Sequence, residues 1–207
     1  MTIPTVEEIQ DLHERYAPSR QALKTVYSHC EIVWRIAEQL IERSADVFDR
    51  DLVRAGCLLH DIGVYRLYRE DGSIDQRNYV RHGVLGREIL ESEGFSEVLC
   101  RFCSCHTGVG LTSDDVIRQK LPLPPADYLA VTPEERIVMY ADKFHSKTKP
   151  PKFLTADAYA IYVARFGDEK VDTFNLLRKS FGDPDVASLA ETYSQAVELP
   201  VLGNRVG

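Results

Sequence analysis

Six residues of this chain combine ligand-type side chains with a suggestive placement: His29, the adjacent pair His60-Asp61, His82, His106 and Asp142. Imidazole and carboxylate together suit Fe, Mn, Zn, Co or Ni, whereas Mg accepts fewer nitrogens. His60 follows Ala55-Gly56-Cys57-Leu58-Leu59 and Asp142 follows Ile137-Val138-Met139-Tyr140-Ala141, so both are expected near the core side of their helices. An ionised carboxylate there is costly without compensating positive charge, which a divalent cation supplies. Four His and two Asp exceed what one tetrahedral site uses, which points to two metals with one carboxylate shared. A single histidine on a helix is more often an ordinary core or surface residue. On that ground His13, in an acidic first helix, reads as solvated, and His145, ahead of a basic loop, as background.

The elements that must position these residues are helical. From Ser19 to Arg43, apolar side chains recur at Leu23, Val26, Cys30, Val33, Ala37, Leu40 and Ile41, one stripe along a long helix. A second helix is predicted over Asp49 to Asp61, with Gly63 ending it through a left-handed cap. A third runs from Tyr79 to Glu93 and stops at Gly94; a fourth, Ser96 to His106, is closed by Gly108. Pro122, Pro124 and Pro125 make the next stretch an extended connection with one short helix at Ser113 to Lys120. Thr132-Pro133-Glu134-Glu135 reads as a capping box with proline at the first helical position, opening a helix through Ile137, Val138, Ala141 and Phe144. Three further helices are predicted over Thr155–Phe166, Asp168–Phe181 and Pro184–Ala196. No convincing run of period-two alternation occurs, and the segment Gly72 to Val80 fits a loop or a small hairpin equally well. The expected architecture is an all-α bundle of eight or nine helices, organised as an N-terminal helix (1–18), a metal-binding domain (19–150) and a C-terminal helical extension (151–207) packed on it.

Composition narrows the function classes. The 207 residues are 44% hydrophobic and 28% charged, an ordinary globular balance, and 25 Lys+Arg against 32 Asp+Glu give −7, without the basic footprint of a duplex-binding protein. No apolar run approaches the roughly 18 to 20 residues that span a bilayer, and the first residues lack a signal-peptide pattern, so a cytoplasmic protein without membrane contact is expected. Cys30, Cys57, Cys100, Cys103 and Cys105 form an odd set with no disulfide-framework spacing and are expected as reduced thiols, the last three as small core residues. Tyr159, Tyr162, Phe166, Phe174, Leu177 and Phe181 read as core or as the face of a homodimer. Lys147, Lys149 and Lys152 around Pro150-Pro151 fit the lip of a site for a small anion.

The order His29, then Leu58-Leu59-His60-Asp61-Ile62-Gly63, then His82, His106 and Asp142 resembles the HD superfamily of metal-dependent phosphohydrolases, with His60 to Gly63 spelling the HDIG variant. Tyr79–Leu90, Cys105–Thr112 and Tyr140–Lys143 are similar to the remaining ligand segments of small, uncharacterised HDIG-domain proteins. The resemblance covers about Ser19 to Lys147. It implies an HD-domain helical bundle, a first metal held by His29, His60, Asp61 and Asp142, and a second held by His82 and His106, with Asp61 bridging as the catalytic carboxylate. The metals so implied are two divalent ions, Fe or Mn first, with Zn, Ni, Co or Mg as alternatives. A small phosphorylated metabolite or nucleotide is the implied substrate, hydrolysed by a metal-activated water. Some nucleotide hydrolases of this superfamily carry Lys directly after the motif; here that place is Val64, so phosphate contact must come from elsewhere. Arg66 and Lys147, each just past a ligand segment, are the candidates. The same ligand set also serves mixed-valent diiron oxygenases acting on polyols or hydroxyphosphonates. A catalytically silent, metal-free binding module is the third reading.

Overall fold

The computed structural model describes residues 2–200. Its helices are α1 (Val6–Tyr16), α2 (Arg20–Arg43), α3 (Arg50–Leu59), α4 (His82–Ser92), α5 (Glu97–Ser104), α6 (Ser113–Arg118) and α7 (Pro133–Asp142). Strands β1 (His145–Ser146) and β2 (Lys152–Leu154) follow, then α8 (Ala156–Val163), α9 (Asp168–Phe181), α10 (Val186–Tyr193) and β3 (Ala196–Glu198). The fold is all-α as expected, with ten α-helices among the described residues. The predicted extension 151–207 ends in residues 201–207, which lie outside the described part.

Local chemistry sets the helix ends. Ser19 caps α2 by accepting from the Ala22 amide, and Val26, Cys30, Val33, Ala37 and Leu40 on its apolar stripe are fully buried. The Thr132 capping box forms, and Glu135 also takes both the Arg101 guanidinium (2.5 Å) and the Val131 amide (2.7 Å), tying α7 to α5. Tyr140 packs edge-on against Phe144 (4.8 Å between ring centroids) and meets Phe174 and Phe181 of α9, so the C-terminal helices share the core of α7. All five cysteines are buried free thiols.

Three expectations need correction. Helix α3 stops at Leu59, and Gly63 lies inside a 3-10 turn (Ile62–Leu67) without a left-handed φ. A methyl group at Gly63 would sit 2.0 Å from the His82 carbonyl oxygen and 2.2 Å from the Gly86 amide, so this glycine permits close backbone approach rather than capping. His13 is buried, not solvated: one ring nitrogen reaches the Tyr65 hydroxyl (2.8 Å) and the other the Leu58 carbonyl (2.8 Å), pinning α1 behind the end of α3. A three-stranded sheet, ordered β1-β2-β3, stands where only helix was read. β1 pairs antiparallel with β2 (His145 opposite Phe153), and β3 runs parallel to β2 (Phe153 opposite Val197). The last helix ends at Tyr193 because Ser194 takes a left-handed φ of 53° and turns the chain into β3. Between Gly72 and Val80 there is a single bridge, Tyr68 to Ile74, and a 3-10 turn rather than a hairpin of any length. No helix among the described residues is long and apolar enough to cross a membrane.

Candidate metal centre

The six ligand-type residues come from five elements and meet in one place. His29 projects from the middle of α2; His60 is the C-cap of α3 and Asp61 the bent residue after it (φ −107°, ψ 8°). His82 begins α4, His106 follows α5, and Asp142 ends α7. Asp61 is the hub. Its Oδ2 lies 3.3 Å from His29 Nε2 and 3.7 Å from His60 Nε2, and its Oδ1 lies 3.6 Å from His82 Nε2 and 3.8 Å from His106 Nε2. Asp142 Oδ1 closes the first side, 3.0 Å from His29 Nε2 and 3.5 Å from His60 Nε2. Donor atoms of His29, His60 and Asp142 lie within 4.8 Å of one another, and so do those of His60, Asp61 and His106.

The ring orientations follow from the other nitrogen of each imidazole. Nδ1 of His60 lies 2.7 Å from the Cys57 carbonyl, that of His82 2.7 Å from Tyr79, and that of His106 3.0 Å from Phe102. A carbonyl only accepts, so Nδ1 carries the proton in all three rings, and a neutral ring then presents a lone pair at Nε2. His29 reaches the same result through a side chain: its Nδ1 is 2.8 Å from His145 Nδ1, and His145 Nε2 is 2.9 Å from Gln195 Oε1. His145, read as background from the sequence, is therefore a buried partner of His29.

These contacts test whether the donor set fits a cation. His82 Nε2 and His106 Nε2 are 2.9 Å apart, two lone pairs facing each other and Asp61 Oδ1. His60 Nε2 and Asp61 Oδ1 are buried and lack any hydrogen-bond partner. Such an arrangement is costly unless positive charge lies among the donors. The residues fit a divalent ion.

Protonation agrees with that chemistry. Burial, aided by the Lys147 charge, brings His29 down to about 3; burial also lowers His82, and burial with the charge of His60 holds His106 well below its ordinary value. Burial works to raise Asp61 and Asp142, but it is outweighed by Lys147 and His60 at the first and by Lys143 and His29 at the second, so both stay ionised. His60 moves upward, its burial outweighed by Cys30 and Asp61. The positive charges already beside the two carboxylates are the ammonium groups of Lys143 and Lys147.

Around the centre lies a cavity of about 780 Å³, lined at this end by Asp61, His82, His106, Asp142, Lys143 and Lys147. Lys147 Nζ contacts Asp61 Oδ2 and stands 5.6 Å from the centre of the Tyr79 ring. Lys143 donates to Asp142 Oδ2 (2.7 Å) and to the His106 carbonyl (2.9 Å), bracing two of the ligand residues. Arg66 does not join them: it pairs with Glu88 at 2.8 Å on the outer face and does not line the cavity, because the 3-10 turn after Asp61 rotates it outward.

A family model described as HD domain matches residues 26–147, more than half of the chain. An uncharacterized protein of Methanocaldococcus jannaschii is 40% identical over 129 residues, 61% of this chain and 69% of its own length. Proteins named tRNA (cytidine(56)-2'-O)-methyltransferase from Picrophilus torridus and Thermoplasma volcanium are 38% and 33% identical over 130 and 147 residues. Those matches cover 62% and 71% of this chain but 33% and 38% of theirs, so the chain spans between a third and two fifths of each. Among solved structures, the HD domain of the L. monocytogenes phosphodiesterase PgpH is similar with a TM-score of 0.54 at 19% identity, over 89% of this chain and 98% of that one. The same domain in complex with cyclic-di-AMP gives 0.54 at 20%, over 92% and 99%. At these identities the likeness is one of fold.

Proposed function

Because the chain belongs to the HD-domain family, we propose that it is a metal-dependent phosphohydrolase cleaving a phosphoester of a nucleotide or small phosphorylated metabolite. One observation carries the reading: each oxygen of Asp61 faces its own pair of imidazoles, His29 and His60 on one side, His82 and His106 on the other. In this reading Asp61 is the shared carboxylate, with Asp142 completing the first side. Two divalent ions, when bound, supply Lewis-acid charge to a phosphoryl oxygen and an activated water for in-line attack. Lys143 keeps Asp142 turned so that Oδ1 faces the imidazoles. Lys147, half-buried against Asp61, brings an ammonium to the place where a phosphoryl group would meet the centre, which supports it as the substrate-binding cation. A solved neighbour is a phosphodiesterase in complex with cyclic-di-AMP, and two relatives carry tRNA-methyltransferase names; these favour a nucleotide-type substrate.

The test is elemental analysis of protein purified without chelator, alongside phosphate release from a panel of nucleotides and sugar phosphates. Two equivalents of Fe or Mn and turnover of at least one phosphoester are the expected results. Oxygen consumption with an inositol or a hydroxyphosphonate, and no phosphate release, would overturn hydrolysis in favour of oxygenation. Absence of stoichiometric metal would overturn both.

A further inference from the structure

Helix α8 and the turn after it lie along the cavity at the candidate centre, and two of their aromatic residues, Tyr162 and Phe166, stay out of the core. Tyr159 is buried and lines the cavity together with Asp61, Asp142 and Lys143. One turn further, Tyr162 is 5.7 Å from Tyr159 between ring centroids, and Phe166 is 5.7 Å from Tyr162. Tyr162 and Phe166 line the cavity while remaining 45% and 42% exposed. Arg165 lays its guanidinium over the Tyr162 ring at 4.1 Å and stands 5.8 Å from Phe166. Among the described residues no carboxylate lies within ion-pairing distance of Arg165, unlike Lys152 at the same cavity, which pairs with Glu198 at 2.6 Å. An unneutralised planar cation stacked on two open rings is a surface made for another flat, electron-rich ring.

We propose that Tyr162, Arg165 and Phe166 form a base-binding platform, so that the ligand of this cavity is a nucleotide with its base on the platform and its phosphate toward Asp61 and Lys147. The phosphate end rests on the phosphohydrolase reading; the base end rests on α8 alone. Cavity size agrees: about 780 Å³ falls within the range of sites for whole cofactors and drug-sized ligands, well beyond the needs of a bare phosphate. The adjoining wall is firm. Lys170 of α9, buried, donates to the Gly110 carbonyl (2.8 Å) and to Asp115 (2.5 Å), fixing the loop that follows His106. The platform residues lie beyond residue 147, outside the part that matches the HD family model.

The experiment is calorimetric titration of the metal-loaded protein with the non-hydrolysable phosphonate analogue of adenosine 5′-monophosphate and with the corresponding analogue of ribose 5-phosphate. The wild-type protein should bind the adenosine compound about tenfold more tightly or better, with loss of intensity in the adenine absorption band on binding. Tyr162→Ala should lose most of that preference and the spectral change while keeping its full metal content, and Tyr162→Phe should retain both. Equal affinity for the two analogues in the wild-type protein, or a preference that survives Tyr162→Ala, overturns the platform. If the preference holds and no phosphoester is hydrolysed, it is the phosphohydrolase reading that fails and the platform that stands.

Discussion

His145 Nδ1 lies 2.8 Å from His29 Nδ1, and the far side of the same ring meets Gln195 at 2.9 Å, so a residue from the end of the described chain sets the tautomer of a histidine in α2. The Gln195 carbonyl oxygen accepts from His145 Nε2, leaving His145 Nδ1 to accept from His29 and His29 Nε2 open toward Asp61 and Asp142. Partners of this kind are worth about 10–100-fold in metal affinity. His145→Ala should weaken metal retention by that order in competition with a chelator, and Gln195→Ala should follow by a smaller factor, whereas Gln195→Glu, which keeps an acceptor, should retain most of it. Unaltered retention in His145→Ala would remove the relay from the account.

Asp61→Ala removes the one carboxylate among the described residues that faces both imidazole pairs. Elemental analysis should show both metal equivalents falling together. One equivalent persisting at full occupancy would mean that the two sides bind independently and that the carboxylate is not shared.

Gly63→Ala tests packing directly behind the motif. The clashing atoms, His82 O at 2.0 Å and Gly86 N at 2.2 Å, are backbone and cannot rotate away. A loss of about 3 kcal/mol or more is expected in urea unfolding. Gly72→Ala, at φ +77° with nothing within 4 Å, should cost only about 1–2 kcal/mol from backbone strain. Equal costs at the two sites would argue that α4 and the turn after Asp61 are not pressed together.

Buried His13 makes stability depend on pH. Burial lowers it from 6.5 to about 4, so the folded chain keeps this ring neutral over a range where the unfolded chain protonates it. Between those values the unfolded state binds more protons; stability is therefore full above about 6.5 and declines as pH falls toward 4, by at most about 3 kcal/mol from this residue. The stability difference between wild type and His13→Gln should be largest near neutral pH and shrink steadily through that window. A difference that stays constant with pH would show that His13 does not carry the effect.

Much of the centre was legible in the sequence because each ligand residue sits at a helix end or on a helix face that local signals define. Ser19, the Thr132 capping box and the apolar stripe through Val26 to Leu40 set α2 and α7, and with them His29 and Asp142. What escaped depends on partners far away along the chain. His145 looks unremarkable until Gln195, fifty residues later, is brought beside it. Strands of two or three residues leave no alternation to detect, and His13 sits on an acidic helix and finds its buried partners, Leu58 and Tyr65, some fifty residues away. Gly63 resembles a helix terminator from its position alone; only the backbone of α4 reveals its use. Tyr162 and Phe166 share the helical spacing of core aromatics, and nothing local distinguishes a ring facing a cavity from one facing the interior.

The parallel pairing of β2 with β3 returns the chain to its starting edge after the forty-one residues 155–195. Both ends of that excursion are anchored in one sheet, and between them α9 packs Phe174 and Phe181 against Tyr140 of α7 and holds the loop after His106 through Lys170. The segment works as a buttress: its α8 lines the cavity, while α9 and Gln195 brace α7, the loop after His106 and His145 from behind. A change confined to this excursion is therefore felt at the candidate centre as well as at the cavity wall, through the acceptor it returns to His145.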